Sequence, residues 1–293
     1  MPFCGTPIDG SLWSSWNIPL LAVVLAIGVW YWATWRRWRA SGGTGDGSAG
    51  VGRKVSFYSG LTLFYLVAAS PVDYIGHMYL FSVHMTAMAL EYMVVPPLVL
   101  LGLPEWMVRS WMQVRGIERL IRVLSRPLFA LITLNLLFTA YHFPSVFDFL
   151  MSHGSLAVWV HLVMMIAAFI NWLPVIQPFA GVKRLSELQK IIYLFADAVL
   201  LTPACAFIIF SGGPLYVTYD AMPRLIPSLS IYVDQQLGGI IMKLTQEAAY
   251  IGAIVYIFVQ WTRKEKERDR QDKKGQLVFF PVDKDGFHGA NTW

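Results

Sequence analysis

The stretch LFSVHMTAMALEYMVVPPLVLLGL, residues 80–103, carries one acidic side chain and one imidazole in 24 residues. A bilayer presents about 30 Å of hydrocarbon and takes roughly 20 mostly apolar residues of helix to cross. Backbone in lipid satisfies its own hydrogen bonds only as a helix or a closed barrel. The run lacks the strict alternation of a barrel strand, so it predicts a membrane helix. Working outward, the same test finds six more candidates at 17–35, 55–70, 127–143, 155–175, 191–211 and 237–261. The fold class expected is therefore all-α, a polytopic membrane bundle of about seven helices. The composition agrees, with 56% hydrophobic and 14% charged residues and a mean hydropathy of +0.52.

Charge predicts an orientation. Seven spans put the 36–54, 104–126 and 176–190 loops and the tail after 261 on one side, and those segments hold 21 of the 23 Lys and Arg residues. Arg224 and Lys243 are the exceptions. Basic loops stay cytoplasmic, so the N-terminus is expected outside and the C-terminus inside. No basic segment precedes the first run, and Arg36, Arg37 and Arg39 follow it. It reads as a span rather than a cleaved signal. The net charge of +5 then belongs to membrane orientation, and nucleic acid is not needed to explain it.

Four segments follow: an outer tail and first span at 1–40, a flexible Gly/Ser-rich cytoplasmic linker at 41–54, a six-helix core at 55–261, and a charged cytoplasmic tail at 262–293. The loop 212–235, rich in Pro and Tyr, is placed to cover the outer mouth of the core. Cys4 and Cys205 form no CxxC pair. A lone buried cysteine behaves as a small hydrophobe.

The polar residues then fall at particular depths. His77 and His84 lie at the outer end of the third span, His142 at the outer end of the fourth, and His153 and His161 around the start of the fifth. If the third helix reaches back to residue 77, then His77, His84, Met88 and Glu91 share one stripe at about 100° per residue. Met165 follows His161 at i+4, and Asp234 with Gln235 opens the seventh helix. Imidazole with thioether suits copper, above all Cu(I). Plainer readings stand beside this one. Methionine in an apolar helix fills gaps, and an interfacial histidine bonds headgroups or carbonyls. Glu91, Asp197, Lys243 and Glu247 are costly inside a membrane and default to functional roles. Lys243 and Glu247 are spaced to pair; with Glu91 they read as a polar lock between helices or as a proton path.

The blocks "SPVDY…LFSVHMTAMALEYMVVPPLVLLGLP", "YHFPSVFDF", "LLTPACAF…GGPLY" and "DQQLGGIIMK" together resemble the bacterial CtaG family of caa3-type cytochrome c oxidase assembly proteins, over residues 55 to 261. The resemblance implies a multi-pass plasma-membrane factor, not an enzyme, that works with cytochrome c oxidase subunits and helps deliver copper. It carries site roles onto His77, His84, His142, His153, His161, Asp234 and Gln235. Where many members read HM-x-x-H, this chain has His84, Met85 and Met88, which favours a softer, Cu(I)-like site. Lys243 stands where the family often has Trp. A transporter using Glu91, Asp197, Lys243 and Glu247, or a haem protein using two of the histidines, are the alternatives. The oligomeric state is not legible in the sequence.

Overall fold

The structure, a computed structural model, describes residues 15–43, 47–109, 111–179 and 184–279. Cys4, His288, both chain ends and residues 44–46 of the expected linker lie outside the described residues. Among the described residues all regular structure is helical.

Helix α1 (Ile18–Ala40) starts where the Asn17 side chain accepts the Leu20 N–H at 2.9 Å, with Pro19 in the first turn. It exposes Leu25, Val29 and Trp32, as a lipid-facing helix does. Its other face meets α2 (Gly47–Ala68), where Tyr31 stacks on Phe57 at 3.9 Å and donates its hydroxyl to Gly102 O at 2.8 Å. Because α2 begins at Gly47, it takes up the second half of the expected 41–54 linker.

At Ser70 the chain bends by 40° into α3 (Pro71–Met78). The Ser70 hydroxyl caps α3 by accepting the Val72 N–H at 3.1 Å, and Pro71 supplies a first-turn residue with no donor to lose. The third span, expected at 80–103, does not reach back to residue 77. The chain breaks at Tyr79–Leu80 before α4 (Phe81–Ala89), so His77 and His84 sit on separate helices. The cause is remote in sequence: Asp234 accepts the Phe81 N–H at 2.7 Å, the Ser82 N–H at 3.2 Å and the Ser82 hydroxyl at 2.5 Å. That carboxylate caps α4, whose own N-cap residue, Leu80, offers no side-chain acceptor. Gly76 then lets α3 lie against α4. A Cβ there would stand 2.9 Å from the His84 backbone.

Beyond α4 the helix loosens into one π turn, Leu90–Val94, before α5 (Val95–Gly102). Pro96 and Pro97 lack the N–H groups that would continue the i→i−4 ladder, and the Val95 N–H reaches Leu90 O instead. The π turn buries Glu91, Tyr92 and Met93, and such turns gather at functional sites. Short α6 (Glu105–Val108) and a 3₁₀ turn at Trp111–Gln113 lead to α7 (Arg115–Leu124), which meets α8 (Pro127–Tyr141) at 71°.

The chain continues through α9 (Pro144–Ser152), α10 (Gly154–Trp172), α11 (Glu187–Ile209), α12 (Val217–Asp220) and α13 (Ile231–Phe279). Among the described residues five helices are long and apolar enough to cross a membrane: α1, the continuous Phe81–Gly102 rod, α10, α11 and α13. Counting the bent pairs α2–α3 and α7–α8 as one span each gives up to seven. The first compact unit ends at Ile251, and Gly252 begins a second, whose described part is the remainder of α13.

Candidate functional site

Three imidazoles meet where α3, α4 and α10 converge. The ring of His77 lies 4.7 Å from that of His84 and 6.2 Å from that of His161, and His84 and His161 are 6.3 Å apart. All three are buried. His77 Nδ1 sits 2.9 Å from the main-chain oxygen of Asp73 and 3.0 Å from its Oδ1. A proton on Nδ1 serves both oxygens, which leaves the Nε2 lone pair free. This is the carboxylate-backed imidazole of many metal ligands.

Two phenols tie the other rings together. Tyr141 Oη lies 3.1 Å from His84 Nε2 and 3.3 Å from His161 Nε2, and Tyr92 Oη lies 2.6 Å from His161 Nδ1. Both Nε2 atoms therefore aim at one point, held by a hydroxyl. Beside them is a cavity of about 10 Å³, lined by His77, His84, His161, Asp73, Met88 and Glu91 among others. It has room for one water-sized occupant. Asp73 Oδ2 is buried without a partner, and the Glu91 carboxyl makes no hydrogen bond to any described residue. Among the described residues no group of three or more His, Cys, Asp or Glu already stands in metal-holding geometry. The resting cluster is hydrogen-bonded, with Tyr141 between the imidazoles.

The other residues expected at a site go elsewhere. His142 lies behind Tyr141, ring centroids 5.3 Å apart, with Nδ1 bonded to Phe138 O at 2.7 Å and Nε2 buried without a partner. His153 is exposed, stacked on Phe149, and bonds Phe149 O at 2.9 Å. Asp234 spends both carboxylate oxygens capping α4. Gln235 accepts the Leu215 N–H at 2.7 Å and so anchors the 210–230 loop. Met85 turns toward Gly238 of α13, whereas Met165 lines an apolar groove beside α1. Lys243 pairs with Glu247 at 2.6 Å and donates to Ala198 O and the Thr202 hydroxyl, so its three protons are used. Glu91 lines the imidazole cavity and does not join that pair.

Asp197 builds a second, separate centre. Its carboxylate accepts from Asn135 at 2.6 Å, Asn171 at 2.5 Å and Tyr250 at 2.6 Å, which pins α8, α10, α11 and α13 together. The 210–230 loop does close over the histidine end. Tyr219 donates to Gly76 O at 2.6 Å, Tyr216 donates to His142 O at 2.9 Å, and Asp148 accepts from Thr218. Burial raises both phenols above their ordinary range, so they stay protonated donors.

Asp73, Tyr92 and Tyr141 are members of the cluster that sequence reasoning did not single out. Asp73 had a signal, four residues before His77 on an apolar face. The tyrosines had none, because a phenol in a span becomes a partner only through packing.

Fold and cluster define a multi-pass helical membrane protein with a buried imidazole–phenol–carboxylate site at one end of the bundle. The model of the cytochrome c oxidase caa3 assembly factor family (Caa3_CtaG) matches residues 29–264, most of the chain, and the chain belongs to that family. It is a bacterial plasma-membrane protein of cytochrome c oxidase assembly. No curated protein and no solved structure matches it.

Proposed function

We propose that this assembly factor holds copper as Cu(I) at His77, His84 and His161 and hands it to an oxidase subunit on the outer side of the membrane. The observation that carries the reading is the cavity shared by the three imidazoles, Met88 and two carboxylates, Asp73 and Glu91, with no Lys or Arg lining it. Two acidic groups buried together with only imidazoles beside them are costly, and a metal cation answers both. Imidazole and thioether are donors that suit Cu(I). The cavity is ion-sized, which favours a single metal over a haem. Copper is cargo here. It enters by displacing Tyr141 from the two Nε2 atoms, and its departure lets the phenol close the pair again.

The orientation belongs to the same proposal. Basic loops on the opposite side, by the positive-inside rule, leave the histidine end outside. The test is anaerobic Cu(I) titration of the purified protein. One equivalent should bind, and the His84→Ala/His161→Ala variant should lose it while eluting as the same folded species. Wild-type stoichiometry in that variant would refute the site.

A further inference from the structure

A second cavity, of about 60 Å³, adjoins the first at the histidine end of the bundle. His77 and His161 line both, so these imidazoles form the partition between them. The wall of the outer cavity carries three methionines from three different elements: Met78 at the end of α3, Met151 on α9 and Met222 in the loop after α12. All three are half-buried. A methionine that fills a core gap is enclosed on every side; these three each keep part of their surface exposed while lining the cavity.

Their placement is held from several sides. The Met222 loop is fixed to α9 by Asp148, which accepts the Thr218 N–H at 3.1 Å and hydroxyl at 2.6 Å, and to α3 by the Tyr219–Gly76 bond. The loop is thus tied to the two helices that bear Met78 and Met151. No carboxylate, thiol or charged side chain lines this cavity; its polar members are the two imidazoles and Tyr141.

We propose that Met78, Met151 and Met222 form a thioether entry site that captures monovalent copper and passes it inward to His77 and His161. This rests on the imidazole cluster being the copper site. Thioethers are neutral, soft donors that suit Cu(I). They bind it without releasing a proton, unlike thiols. Transfer is ligand exchange alone. Sulfur donors leave the ion one at a time, imidazole nitrogens replace them, and the metal stays Cu(I) throughout. Hard or divalent ions find no oxygen anion in the entry cavity, so the chain discriminates before the imidazoles are reached.

The test uses the full-length protein in nanodiscs and a Met78→Leu/Met151→Leu/Met222→Leu variant, leucine being close to methionine in volume and apolarity. Cu(I) transfer from a coloured chelator gives the loading rate, and ¹³C-methyl methionine spectra with Ag(I), a redox-inert stand-in for Cu(I), report contact with sulfur. The triple variant should load about tenfold slower or worse with its final stoichiometry unchanged, a change in rate rather than in final occupancy. In the wild type and in the His84→Ala/His161→Ala variant alike, Ag(I) should shift the methyl signals of Met78, Met151 and Met222. Wild-type loading by the triple variant, or those three signals unmoved by Ag(I), would overturn the entry site while the imidazole site stands. Shifted methyls in a protein that binds no tight Cu(I) equivalent would instead remove the imidazole reading on which the transfer step depends, and the transfer proposal with it.

Discussion

Asp73 and Tyr141 act on the imidazoles in opposite senses. Asp73 orients His77 and fixes its tautomer, so Asp73→Asn should weaken Cu(I) binding by about 10–100-fold, the range for partners behind a metal ligand. Competition with a chelator reads this directly, and a thermal melt close to wild type would show that the loss is local. Tyr141 occupies the point a metal would take between His84 and His161. Tyr141→Phe leaves two buried ring nitrogens short of a partner, at about 1–3 kcal/mol. It should therefore lower the apo melting temperature and strengthen Cu(I) binding. Weaker binding together with lower stability would mean that the phenol is a ligand rather than a competitor. At this scale the histidines were legible as ionisable groups that have no cheap place in lipid. Which of them meet was not. His142 and His153 have the same chemistry as His84, but their rings turn to local carbonyls.

Elements were legible in outline, and their breaks were not. The apolar run 80–103 is one rod, as expected, with a π turn just before its two prolines. The interruption at Tyr79–Leu80 has no Pro or Gly to announce it. It depends on a carboxylate contributed by α13, and no local pattern records that. Asp234→Ala removes the acceptor of two main-chain N–H groups and a hydroxyl. It should cost about 1–3 kcal/mol, visible as a lower melting temperature in detergent, with Asp234→Asn recovering part of the loss. If Asp234 were a metal ligand instead, the alanine variant would lose copper at unchanged stability. The expected 104–126 loop likewise holds a full amphipathic helix, α7, which apolarity alone does not single out because its buried contact is Ile121 alone.

Among the described residues, the imidazole cluster and the Asp197 centre are two buried polar centres joined by the π turn. Tyr92 bonds His161 in one centre, and Met93 lies 3.6 Å from the Tyr250 hydroxyl of the other. Asp197, fully buried under three donors, is the structural half. Asp197→Leu strands Asn135, Asn171 and Tyr250 and should reduce the folded protein recovered from membranes, whereas the imidazole variants should not. Hydropathy revealed the spans and charge the expected sidedness. Asp197 was legible only as an expensive residue, since its partners come from three other helices. Orientation has its own check: reporters active only outside the cytoplasm should work when fused after residues 75, 150 and 222 and fail after 45, 115 and 183. An active fusion after 115 would invert the assignment. Whether the cluster supplies copper to the oxidase is read from copper per haem in oxidase purified from cells whose assembly factor carries His77→Ala, His84→Ala and His161→Ala at wild-type abundance. That oxidase should be deficient in copper and partly restored by high external copper; a normal copper-to-haem ratio in those cells would rule out supply through these imidazoles.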